Sequence, residues 1–92
     1  MYSIEYSNRY KRSYRLAVKR GLDVGVLNNV VKTLAEGKKL GENHKDHELK
    51  GKLSGFRECH IQPDWLLIYR IINKTCVLYL LDTGTHADLF GR

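Results

Sequence analysis

Residues 65–82, WLLIYRIINKTCVLYLLD, decide how the rest of the chain is read. The runs WLLIYRII (65–72) and TCVLYLLD (75–82) are apolar at successive positions. Strands with that pattern are buried on both faces, so both runs belong in the middle of a sheet. Only Asn73 and Lys74 separate them, and so short a break joins antiparallel neighbours. Upstream, the turn QPD (62–64) leads back to FRECHI (56–61), and GKLSG (51–55) leads back to a short, weak candidate strand, DHELK (46–50). The second half of the chain therefore reads as a four-stranded antiparallel meander.

The first half has a different rhythm. In YSIEYS (2–7), Tyr2, Ile4 and Tyr6 alternate with Ser3, Glu5 and Ser7, which marks a strand with one buried face. This strand is expected at an edge of the sheet or beside a central strand. Ser7 or Asn8 can cap a following helix, in which Tyr10, Tyr14 and Val18 recur with Ala17 beside them, and Gly21 stops it. A second helix starts near Asp23, carries Leu27, Val30, Val31 and Leu34 on one stripe, and ends at Gly37. The expected architecture is α+β: one domain over 1–92, with two N-terminal helices packed on one face of a small antiparallel sheet.

Ninety-two residues suffice for one modest core without staples. The two cysteines, Cys59 and Cys76, have no metal-type spacing and fall in predicted strands, where they read as small core residues. No apolar leader follows Met1 and no run is long enough to span a membrane, which points to the cytoplasm. Lysine plus arginine number 16 against 10 acids, a formal charge of +6. Such a surface favours nucleic acid or an acidic protein partner. Arg9, Lys11, Arg12, Arg15, Lys19 and Arg20 concentrate that charge on the first helix.

The meander also places chemistry. The end of FRECHI, the start of WLLIYRII and the end of TCVLYLLD lie at one edge of the sheet. His60, Asp64, Trp65 and His86 fall there, and His47 begins the first strand on the same side. Histidine exchanges protons near neutral pH and is the commonest general acid or base. RNA carries its own nucleophile, the 2′-hydroxyl. Cleaving it requires a group to take that proton, a group to protonate the departing 5′-oxygen, and positive charge on the phosphate. His47, His60 and His86, with Asp64 to accept or orient a proton, can supply the first two. Lys50, Lys52 and Arg57 are candidates for the third, and Trp65 and Phe90 for stacking on bases.

Each residue also has a plainer reading: His44 solvated in a polar loop, His47 and His60 as edge residues, Asp64 as a turn former after Pro63, Trp65 as core, Phe90 as an anchor for the tail. His47, His60, Asp64 and His86 are possible zinc ligands, yet their spacing matches no compact zinc motif. The lone Gly84 in DTGTH makes no phosphate loop.

Three segments, KDHELKG (45–51), GFRECHIQPDWLLIY (55–69) and TGTHADLFG (83–91), give the chain a resemblance to the RelE/ParE superfamily of bacterial toxins, and within it to the YafQ branch of mRNA endoribonucleases. They occur in the family's order, and the likeness, sharpest in these segments, covers nearly the whole chain. The resemblance implies a RelE-like fold. Its site pattern falls on His47, His60, Asp64, Trp65, His86 and Phe90. It further implies metal-independent cleavage of mRNA on the ribosome, leaving a 2′,3′-cyclic phosphate and a 5′-hydroxyl, with no cofactor. The implied partner is a cognate, DinJ-like antitoxin whose acidic segment wraps the toxin in a hetero-oligomer. The ParE side of the superfamily offers an alternative, a toxin that inhibits DNA gyrase, and a non-catalytic relative that binds RNA or antitoxin is another.

Overall fold

The computed structural model describes residues 1–91. The chain runs β1 (Ser3–Tyr6), α1 (Asn8–Lys19), α2 (Val24–Ala35), β2 (His47–Glu48), β3 (Arg57–Gln62), β4 (Trp65–Ile72), β5 (Val77–Gly84) and α3 (His86–Phe90), with short 3₁₀ turns at Glu42–His44, Gly51–Leu53 and Asn73–Thr75. The sheet order is β1-β5-β4-β3-β2. Strands β2 to β5 form the expected antiparallel meander. β1 takes the edge position and pairs parallel to β5, from Ser3↔Val77 to Tyr6↔Leu80. The sheet is therefore mixed: two helices and three strands intervene between β1 and β5, and so long a connection permits parallel pairing.

Both long helices begin and end as their sequences dictate. The Ser7 hydroxyl oxygen accepts the Tyr10 N–H at 2.9 Å, and Asp23 accepts the Gly25 N–H at 3.0 Å. Gly21 and Gly37 adopt φ of +76° just beyond the two C-termini, a conformation that costs glycine least. The α1 stripe is narrower than expected. Tyr10 and Ala17 are buried, but Val18 is 53% exposed. Seven residues bring a helix back to within ~20° of its starting direction, whereas eight overshoot by ~80°, so Val18 rotates away from the core.

Cys59, Ile61, Trp65, Leu67, Tyr69, Leu78 and Leu80 pack against Leu27, Val30, Val31 and Leu34 of α2 and Tyr10 and Ala17 of α1. Asp82 ties α1 to β5, accepting from Ser13 and from Arg9 at 3.1 Å. On the other face Leu66 and Ile68 are also fully buried, which explains why WLLIY (65–69) is apolar at every position. Burying each is worth about 1.5–3 kcal/mol. Cys59 lies in the core, where burial pushes its thiol up to about 12 and leaves it unreactive. Cys76 departs from expectation. It is exposed, with φ of +52°, and closes the turn before β5 instead of lying in the strand.

Candidate active site

The outer face of β3 starts the site. Side chains alternate along a strand, so Cys59 and Ile61 point to the helices while Glu58 and His60 point away from them. The ladder places Glu58 beside Ile68, His60 beside Leu66, and His47 of β2 opposite Glu58. Leu66 and Ile68 thus form a dry floor next to which Glu58 is only 6% exposed.

Glu58 is the residue the sequence reading missed. Its carboxylate stands 3.7 Å from His47 Nε2 and 3.8 Å from His60 Nε2. These separations suit ion pairs and exceed hydrogen-bond length. The alternation of β3 puts Glu58 on the same face as His60, two residues on, but nothing in the sequence marks that face as buried.

The second half of the site comes from the turn after β3 and the end of β5. The His86 backbone N–H donates to Asp64 Oδ1 at 3.0 Å, and His86 Nδ1 lies 2.7 Å from the same oxygen. Hydrogen bonds from the His86 backbone and ring hold the Asp64 carboxyl below the usual carboxylate range. Being ionised, Asp64 can only accept, so the ring proton sits on Nδ1 and Nε2 is left free. The His86 ring meets that of His60 edge-on, with centroids 5.9 Å apart. The groups form a line, His47–Glu58–His60–His86–Asp64, in which two carboxylates serve three imidazoles.

His47 and His44 are oriented by main-chain carbonyls. His47 Nδ1 donates to the Lys45 carbonyl at 2.8 Å, directing Nε2 toward Glu58. His44 is not a free loop residue: its Nδ1 donates to the His60 carbonyl at 2.6 Å and buttresses the end of β3.

Three other expectations change. Trp65 is 3% exposed and donates Nε1–H to Thr83 Oγ1 at 3.0 Å, so it is a core residue with no face to offer a base. Arg57 is on the opposite face of β3 from Glu58 and His60, held by Asp46 at 3.2 Å and Glu48 at 3.6 Å. Lys50 and Lys52 are exposed at the turn before β3, at the far end of that strand from His60. Phe90, the last residue of α3, remains exposed and available. The cation on the outer face is Arg70, two residues beyond Ile68. Its guanidinium lies over the Phe56 ring at 5.8 Å, and it joins no ion pair among the described residues.

Glu58, His60 and His86 offer ligand atoms that all lie within 4.8 Å of one another, close enough to hold a divalent cation.

The profile of a family described as "Bacterial toxin of type II toxin-antitoxin system, YafQ" matches residues 2–91. The mRNA interferase toxin YafQ of Escherichia coli K12 is 42% identical over 89 residues, covering 96% of this chain and 95% of its own. A metal-bound toxin from Helicobacter pylori superposes with a TM-score of 0.92 at 42% identity, covering 98% of this chain and 100% of that one. The matched chain of the E. coli DinJ–YafQ complex superposes with a TM-score of 0.90 at 37% identity, covering 99% and 100%. Fold and sequence together place the chain among the bacterial toxins of type II toxin–antitoxin systems. Within that class the chain belongs to the YafQ family.

Proposed function

We propose that the protein is an mRNA endoribonuclease that arrests translation by cutting message on the ribosome through transesterification. The observation that carries this reading is the paired hydrogen bond from His86 to Asp64, which aims Nε2 of an imidazole outward beside His60 and Glu58. In the reaction the RNA 2′-oxygen bonds to phosphorus and the phosphorus–O5′ bond breaks. The 2′-proton passes to the His47–Glu58–His60 group, and His86 in its imidazolium form gives the Nε2 proton to O5′. The products are a 2′,3′-cyclic phosphate and a 5′-hydroxyl. Within the His47–Glu58–His60 group the charges interact, so the base belongs to the set and not to one ring. No metal enters this scheme, because the nucleophile is already in the substrate.

Arg70 lies on the same outer face but at the Phe56 end of β3, where it can hold the RNA backbone away from the cleaved bond. Phe90 offers a ring to a base. The basic residues of α1 serve a different purpose. Arg9 and Arg20 are paired with Asp82 and Asp88. Lys11, Arg12, Arg15 and Lys19 remain to attract ribosomal RNA or the acidic segment of a DinJ-like antitoxin, in the cytoplasm where both are found.

The test is to add the purified protein to translating ribosomes and map the new mRNA ends. Cleavage within translated codons, with cyclic phosphate and 5′-hydroxyl termini, is expected. Intact message with growth arrest unchanged would indicate a toxin that acts by binding alone.

A further inference from the structure

His86 sits on a helix of five residues, and a helix that short has no stability of its own. Something else must hold its ring. Thr85 and Asp88 form a capping box: the Thr85 N–H donates to Asp88 Oδ2 at 2.9 Å, and the Asp88 N–H donates to Thr85 Oγ1 at 3.0 Å. From the end of α1, Arg20 then grips the same carboxylate with both nitrogens, NH1 to Oδ2 at 2.6 Å and NH2 to Oδ1 at 3.1 Å. Among the described residues, Arg20–Asp88 and Asp64–His86 are the two polar side-chain tethers from α3 to the rest of the fold.

No residue of α3 is fully buried, so apolar packing adds little to these tethers. Between α1 and the start of α3 lies a groove of about 390 Å³, lined by Leu16, Leu22, Pro63 and Trp65 and bordered by Arg20 and Asp88. At its upper edge Gly84 lets Asp88 come close, since a Cβ on Gly84 would stand 2.8 Å from the Asp88 Cβ. The hydrogen bonds from Arg20 and Thr85 hold the Asp88 carboxyl down to about 2, so the grip is ionised wherever the protein works.

We propose that Arg20 is a positioning residue for the nuclease reaction: by clamping Asp88 it fixes the start of α3 and thereby holds His86 on Asp64 with Nε2 facing the scissile phosphate. The inference rests on the assignment of His86 in the preceding subsection. Arg20 touches neither substrate nor reacting atoms. An ion pair this exposed contributes little to global stability, so its loss should be felt in the geometry of α3 and not in the melting temperature.

The test combines kinetics with ring-nitrogen NMR. Arg20→Ala should lower kcat on ribosome-bound mRNA about tenfold with KM unchanged. Arg20→Lys should fall between, because an ammonium cannot make the forked contact. In the His86→Ala background Arg20→Ala should cost nothing further, since residues acting through one group are not additive. In the free protein, ¹⁵N spectra of the His86 ring should show the Nδ1–H tautomer in wild type and a mixture of tautomers in Arg20→Ala. A kcat within twofold of wild type, a loss that persists in the His86→Ala background, or an unchanged ring spectrum would each overturn the proposal. Should His86→Ala itself keep full activity, the assignment of the site fails, and the ring spectrum still decides whether Arg20 orients His86.

Discussion

Replacing Glu58 with glutamine keeps the side chain's shape and removes its charge. The carboxylate is 6% exposed and lies 3.7 and 3.8 Å from two imidazole nitrogens. At 3.7 Å, and with an effective dielectric constant of 20, a fully formed ion pair has a gross attraction of ~4 kcal/mol. A hydrogen bond to a charged group contributes ~1.5–3 kcal/mol net, and a contact of 3.7 Å can shorten to one as an imidazolium forms. If that stabilisation is realised as His47 or His60 takes the 2′-proton, its loss slows cleavage by ~10- to ~150-fold at 1.36 kcal/mol per tenfold. Folding should respond in the opposite direction. Among the described residues the largely buried carboxylate has two ion-pair contacts and no hydrogen bond, so neutralising it should leave stability unchanged or improve it. Relief of ~1 kcal/mol would raise the melting temperature by ~4–8 °C in a domain of this size. The assay is single-turnover cleavage of ribosome-bound mRNA beside thermal unfolding of the same preparation. An enzyme as fast as wild type would refute the proton-accepting group. A large fall in melting temperature would show that Glu58 holds the sheet together instead.

Three further outcomes are expected. EDTA should leave cleavage intact, whereas excess zinc should inhibit it by occupying the ligand atoms of Glu58, His60 and His86; loss of activity in EDTA that a divalent ion restores would contradict the metal-free scheme. Because the Asp88 carboxyl titrates at about 2 when folded and near 3.8 when unfolded, its stabilising effect is fully present above the unfolded value and is lost as pH falls toward 2. Any advantage in thermal stability of wild type over Asp88→Asn should therefore shrink across that window, and a constant difference would contradict the pairing with Arg20. Charge reversal at Arg12 and Arg15 should weaken ribosome or antitoxin binding and flatten its salt dependence, while the cleavage rate of message already bound stays the same; a slower bound-state rate would place α1 in the chemistry.

How far the sequence could be read depended on how much burial each residue carries. WLLIYRII and TCVLYLLD announced the central hairpin because both faces of those strands are dry. The caps Ser7 and Asp23 and the stops Gly21 and Gly37 framed the helices through local backbone chemistry. The parallel pairing of β1 was not legible, since four alternating residues state which face is buried but not which neighbour or direction they take. Five residues are too few to show helical periodicity, so no element was expected over α3 and its capping box went unnoticed. The site histidines were legible because the meander returns their segments to one edge. Glu58 was not, because a glutamate in a strand ordinarily points to solvent, and only the burial of Leu66 and Ile68 beside it makes its position unusual. Trp65 and Arg57 illustrate the opposite case. Both have the right chemistry for RNA, but the pleat turns them to the helix side, where Thr83 and Asp46 engage them.

His86 carries the proposed proton transfer to the leaving oxygen. General acid–base groups contribute ~10²–10⁴-fold, or ~3–5 kcal/mol of barrier. The measurement is the single-turnover rate of His86→Ala on ribosome-bound mRNA, taken with its melting temperature. His86 is exposed and outside the core. The rate should therefore fall by ~10²–10⁴-fold while the melting temperature barely moves. A rate within a few-fold of wild type, in a protein that melts normally, would contradict the claim that this line of imidazoles and carboxylates is the active site.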